Sequence, residues 1–177
     1  MIFTKRSDYG LRAAMELAAG YGGGPLSARQ IARSGNLPEP FVRKLLQELA
    51  RAGLATSERG RNGGYALAKP PAEVSVRATL EAFESLAPVP CLDPANMSEA
   101  PVGLLSTESN AAGAGRTNAT DDDSCSLDIA EFNCPTRAAW NLVDREVRTT
   151  LEGITLDDLL SEVAQRGLTR EMLHVSH

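Results

Sequence analysis

The stretch from Asn36 to Leu67 runs N-L-P-E-P-F-V-R-K-L-L-Q-E-L-A-R-A-G-L-A-T-S-E-R-G-R-N-G-G-Y-A-L. Its first half carries Phe41, Val42, Leu45, Leu46 and Leu49 at the spacing of one helix face. Pro38 suits a first-turn position, and Gly53 marks the stop. The second half changes period. Two short alternating runs, Leu54–Ser57 and Tyr65–Leu67, flank a Gly- and Arg-rich turn, which predicts a β-hairpin. A helix followed at once by a hairpin limits the fold far more than either element alone.

Upstream, Gly35-Asn36-Leu37 makes a tight turn, and Ser27 is placed to cap a short helix, A-R-Q-I-A-R, ending near Ser34. Two helices joined by a three-residue Gly-containing turn form a helix-turn-helix. The G-G-G-P run at 22–25 is a loop. Before it, a first helix is expected with Ser7 as its cap, Leu11, Met15 and Ala18 on one face and Gly20 near its end. A hairpin that follows a helix-turn-helix is a wing. The expected class is therefore mainly α with a small β-hairpin wing, a winged helix-turn-helix DNA-binding domain over residues 1–70.

Downstream, Pro70-Pro71 breaks the pattern and Ser75 is expected to cap a linking helix over about 76–86, within a segment 71–90. From Pro88 to Ser124 periodicity is lost, and the reading is a long loop, 91–134, bearing cysteines and an insertion at 95–124. Trp140, Val143, Val147 and Leu151 then trace an apolar stripe on a helix of about four turns, stopped by Gly153. Thr155 is expected to cap a last helix closed by Gly167, so that 135–167 is a dimerisation helix plus a C-terminal helix and 168–177 a tail.

The net charge of −5 hides an asymmetry: residues 1–69 hold 11 Lys/Arg against 5 Asp/Glu, while 70–177 hold 7 against 18. A basic third on an acidic chain suggests local contact with a polyanion, although solvated surface charge gives the same count. No window of 18 consecutive apolar residues exists, and the start, M-I-F-T-K-R-S-D-Y, lacks a signal peptide's apolar run, so the expectation is a cytoplasmic protein without a membrane contact. No nucleophile–base–acid grouping or phosphate loop is present, which argues against an enzyme.

Phosphates demand cations, and base readout demands side chains projecting into a groove. Arg43 and Lys44 stand near the N-terminal end of the predicted recognition helix, Arg59 and Arg61 on the hairpin tip, and Arg29 and Arg33 on the preceding helix, where they suit phosphates. This order of motifs resembles the IscR/NsrR/RirA family of bacterial winged-helix regulators, also called the Rrf2 family. The resemblance rests on T-K-R-S-D-Y-G-L-R-A-A-M, the 36–71 stretch, V-S-V-R-A-T-L-E-A-F-E, C-P-T-R-A-A-W and G-I-T-L-D-D-L-L. It implies a homodimer on a palindromic operator in double-stranded DNA, with the helix after the third cysteine position crossing between subunits. Many members carry an iron–sulfur cluster that controls DNA binding.

Cys91, Cys125 and Cys134 are similar to the family's three cluster positions, and thiolates are the usual ligands of such clusters. Two departures stand out. The segment between the first two cysteines holds 33 residues, longer than in familiar members, and Arg137 occupies the place of an IscR-like His ligand. A guanidinium stays protonated and is a poor ligand. The resemblance to NsrR-like members offers Asp8 of the partner subunit as the fourth ligand. An ordinary first-turn carboxylate is the alternative. Spacing leaves a 4Fe–4S and a 2Fe–2S cluster both open. It also leaves a cluster-free thiol switch in which Cys125 and Cys134 pair on oxidation. Zinc is disfavoured, since there is no C-x-x-C pair and the two histidines, His174 and His177, lie at the end of the chain. The resulting expectation is a repressor sensing nitric oxide, redox state or iron.

Overall fold

The computed structural model describes residues 4–60, 63–89, 92–93 and 136–166. The expected cysteine loop apart from residues 92–93, its 95–124 insertion, Arg61 and the 168–177 tail lie outside the described residues, as do Cys91, Cys125, Cys134, His174 and His177. Among the described residues, six α-helices and two strands appear in order: α1 (Lys5–Ala19), α2 (Ala28–Ser34), α3 (Glu39–Arg51), β1 (Ala55–Glu58), β2 (Gly64–Leu67), a 3-10 turn (Pro71–Glu73), α4 (Val76–Glu81), α5 (Arg137–Glu152) and α6 (Leu156–Gln165).

The stretch that opened the sequence reading folds as its pattern requires. In α3, Val42, Leu45, Leu46 and Leu49 are buried, and Phe41 packs against their cluster from a half-buried position. The helix ends in a Schellman arrangement: Leu54 N–H donates to Leu49 C=O at 2.9 Å and Gly53 N–H to Ala50 C=O at 3.1 Å. Gly53 sits at φ +72, the left-handed conformation that glycine adopts without Cβ strain. The chain then enters β1, which pairs antiparallel with β2 in the register Ala55↔Leu67 through Glu58↔Gly64.

A third edge escapes the sequence pattern. Leu26 and Tyr65 exchange both backbone hydrogen bonds at 2.8 Å, which lays the loop before α2 against the wing. This approach needs a bare Gly64, because a Cβ there would stand 2.4 Å from the Leu26 carbonyl oxygen. The wing root is thereby fixed to α2.

Two expectations at the N-terminus are corrected. Thr4, not Ser7, caps α1: Ser7 lies inside the helix, and its N–H donates to Thr4 Oγ1 at 3.4 Å. Ser7 is fully buried instead, its hydroxyl donating to Thr4 C=O at 2.9 Å. The core face of α1 is built from Gly10, Ala13, Ala14, Leu17 and Ala18, with Leu11 and Met15 at its edge. Gly10 is bare on that face because the Phe83 ring seats directly on it.

The linking helix is also shorter than expected. Ser75 caps it, accepting from Ala78 N–H at 3.1 Å, but α4 ends at Glu81 and not near 86. Leu86 is buried all the same, with Val76 and Leu80 in a second cluster that takes in Leu11, Leu151, Ile154 and Leu159. Backbone bonds from Val76 N–H to Ile154 C=O (2.8 Å) and from Leu156 N–H to Val74 C=O (2.9 Å) tie the base of α4 to the α5–α6 turn. Thr155 caps α6 in a capping box with Asp158.

Candidate nucleic-acid interface

Helices α2 and α3 and the hairpin form the expected winged helix-turn-helix, and the candidate DNA-contacting residues other than Arg61 fall on its outer surface. Ser27 caps α2 in a capping box with Gln30, and Ile31 and Ala32 bury its inner face. Arg29 and Arg33, four apart, are left exposed on the outside. At the α2–α3 turn Asn36 adopts φ +50, and Leu37 is buried beneath it.

On α3 the buried positions Val42, Leu45, Leu46 and Leu49 turn Arg43 and Lys44 outward. Arg43 is 66% exposed, and its Nη2 donates to Glu39 Oε1 at 2.8 Å, one turn back. Arg59 is exposed beside Gly60 at the wing tip. The structure thus places Arg29, Arg33, Arg43, Lys44 and Arg59 on exposed positions of three consecutive elements.

Asp8 stands half exposed on the first turn of α1 and pairs with Arg12 at 3.0 Å on its own helix. Its neighbours bind α3. Arg6 Nη2 donates to Glu48 Oε1 at 2.7 Å, and the Tyr9 ring meets Phe41 edge-on with centroids 5.8 Å apart. Arg12 in turn lies over the Tyr9 ring, 5.9 Å from its centroid. Sequence reasoning missed Arg6, Tyr9 and Glu48, since positions 42 apart share no local pattern.

The expected apolar stripe of α5 divides into two parts. Leu151 packs within the chain on the cluster of Val76, Leu80 and Leu86. Trp140 (38% exposed) and Val143 (44%) face outward, Val147 is half-buried, and no residue of α5 is buried. Leu142, absent from the expected stripe, is the most exposed at 52%. Arg148 anchors this helix to α4: it donates to both oxygens of Asp144 and, through Nη1, to Glu81. The Asp144 hydrogen bond is the main cause holding its guanidinium pKa above the ordinary value. A groove of about 600 Å³ beside this network is lined by Arg77, Asp144, Arg145, Arg148 and Glu152 among others, and its mixed charge favours no single ligand.

Among the described residues no helix is long and apolar enough to cross a membrane. The family model described as Rrf2, iron-dependent transcriptional regulator, matches residues 3–162. A putative HTH-type transcriptional regulator of Synechocystis is 42% identical over 91 residues, 51% of this chain and 62% of that protein's own length. Among solved structures, CymR, the global cysteine regulator of B. subtilis, superposes with a TM-score of 0.60 at 26% identity, covering 92% of this chain and 98% of that one. IscR of T. potens superposes at 0.59 and 24% identity over 92% and 88%, a likeness of fold alone. The match from residue 3 to 162 and the shared winged-helix architecture establish that this chain belongs to the Rrf2 family of transcriptional regulators.

Proposed function

We propose that the chain is a homodimeric regulator that binds a palindromic operator in double-stranded DNA, acts as a repressor, and is controlled through its cysteines. One observation carries the DNA reading. Exposed cations Arg29, Arg33, Arg43, Lys44 and Arg59 sit on the helix-turn-helix and wing of a chain whose net charge is −5. A cationic surface concentrated on these elements of an acidic protein suits a phosphate backbone and a groove. Selection from a random duplex pool, followed by footprinting, tests it. The expected result is one two-fold symmetric site; no enriched duplex at moderate salt would overturn the reading.

The open face of α5 supports a dimer. Trp140 and Val143, three positions apart on α5, are apolar and partly exposed, with Leu142 exposed on the adjoining flank, so a partner would bury the apolar area they still leave in water. Leu151 serves such an interface from beneath, by holding the helix on α4.

For control, the first reading is an iron–sulfur cluster, 4Fe–4S or 2Fe–2S, responding to nitric oxide, redox state or iron. Cys91, Cys125 and Cys134 would hold it, with Asp8 of the partner subunit as the fourth ligand; bound, it supplies a centre that reacts with nitric oxide and oxidants. The donor chemistry fits. Three thiolates and a carboxylate form a workable set, and Asp8 is half exposed and held by an exposed ion pair to Arg12, of the kind worth about 0.2–1 kcal/mol. Because Arg6 and Tyr9 on the same turns hold Glu48 and Phe41, a ligand on Asp8 acts on a helix end already tied to α3.

A second reading is favoured by Arg137. It opens α5 in the place of the family's His ligand, and its charge is ill suited to metal. Cys125 and Cys134 then act as a thiol–disulfide switch without a cluster. Anaerobic purification separates the two. A brown, iron-bearing dimer that loses colour in Asp8→Ala supports the cluster. A colourless protein whose operator binding is lost on peroxide treatment and kept in Cys125→Ser supports the switch.

A further inference from the structure

The recognition helix begins P-E-P, an unusual start for an element placed against a polyanion. Pro38 and Pro40 have no N–H, and the N–H groups of Phe41 and Val42 are already used on Pro38 C=O at 3.0 and 3.1 Å. Glu39 adds a negative charge to the same turn. The end of α3 is therefore a poor cradle for phosphate, since donors at helix N-termini are what make such ends bind anions. A carboxylate here is tolerable against DNA only where it meets a donor. In the major groove the donors are the exocyclic amines of cytosine and adenine.

Glu39 does not act alone. Its Oε1 accepts from Arg43 Nη2 at 2.8 Å; burial of Val42, Leu45, Leu46 and Leu49 turns Arg43 outward, while Glu39, in the first turn at the edge of that buried face, keeps its side chain 38% exposed. The pair offers a fork of guanidinium donors with a carboxylate acceptor beside it. A G·C pair presents the complement along its major-groove edge: two acceptors, guanine N7 and O6, followed by a donor, cytosine N4. An A·T pair presents acceptor, donor, acceptor, which sets thymine O4 or adenine N6 against a like group of the pair.

Resting on the DNA-binding reading above, we infer that Glu39 and Arg43 together read one G·C base pair in each half-site, Arg43 on the guanine and Glu39 on the cytosine. Glu39 is a specificity-determining residue in its own right. It also neutralises Arg43 when no guanine is present, which lowers affinity for unrelated sequences.

The test is parallel selection of a random 30-base-pair duplex pool by the full-length wild type, Glu39→Ala, Glu39→Gln and Arg43→Ala dimers, with circular dichroism to verify folding. Wild type should enrich a G·C pair at one position per half-site. Glu39→Ala should keep binding but lose roughly ten- to a hundredfold of the preference at that position alone, the range for one good base contact. Its affinity for non-selected duplex should be unchanged or higher. Glu39→Gln keeps an acceptor oxygen and should retain part of the preference, which a purely structural role for Glu39 does not predict. An unaltered base preference in folded Glu39→Ala, or an A·T pair at the position that responds to both residues, overturns the inference. If wild type enriches nothing, the DNA-binding reading itself has failed.

Discussion

Gly10 has no side chain because Phe83 occupies the space: a Cβ at position 10 would lie 2.1 Å from the ring. The ring is 6% exposed and wedged between α1 and the turn after α4, so it has little room to withdraw. Gly10→Ala should destabilise the fold by about 1–3 kcal/mol, the usual cost of overpacking, as measured by urea unfolding. Adding Phe83→Leu should return part of that loss, which separates overpacking from a change in helix propensity. At the other end of the chain, Thr155 Oγ1 accepts from Asp158 N–H while the Asp158 carboxylate accepts from the Thr155 hydroxyl and N–H. Thr155→Ala should cost about 1 kcal/mol. Donation from the Thr155 hydroxyl, and then from its backbone, holds the Asp158 pKa below 3.8. A lowered folded pKa gives stability that is full above the ordinary value and is lost as pH falls through the folded one. Asp158→Asn should therefore lower stability at neutral pH and leave it little changed well below about pH 4, flattening the acid limb, as followed by thermal melts across pH.

Among the elements, α2, α3 and the wing divide the work between position and choice. Exposed Arg29 and Arg33 on α2 and Arg59 on the wing suit phosphates or the minor groove, whereas Arg43 and Glu39, on the first turns of α3, are the pair proposed above to meet base edges. Each phosphate-contacting arginine replaced by Ala should lower affinity for all duplexes alike and reduce the salt slope by about 1. Filter binding of Arg29→Ala and Arg33→Ala from low to moderate salt checks this; an unchanged slope in both removes α2 from the interface. This grouping was legible in the sequence because helix spacing and turn chemistry are local. Ser27, Gly53 and the two alternating runs around 58–64 sufficed to order helix, helix and hairpin. The true cap of α1 was less legible. Thr4 and Ser7 are both good caps, and burial of Ser7 beneath the α1 turn decided between them.

For the whole molecule, most of the exposed large apolar side chains among the described residues lie on α5. Leu142→Asp with Val143→Asp should convert a dimer to a monomer in sedimentation while leaving the far-ultraviolet spectrum intact, since neither side chain packs into the two core clusters. Retention of the dimer in that variant would place the subunit contact elsewhere. By itself the sequence determined the winged helix and the identity of its exposed cations, because these follow from periodicity, caps and glycines within windows of a few residues. It also supplied the three cysteines, but not what they hold, since ligands distant along the chain are joined only by three-dimensional placement. Tertiary structure alone decided that Leu26 pairs with Tyr65, that Arg6 and Tyr9 lash α1 to α3, and that Leu151 faces inward while Leu142 faces out. Each of these contacts joins residues far apart in the chain or separates neighbours on one helix. Local pattern is blind to both, because burial depends on what the rest of the chain places opposite each side chain.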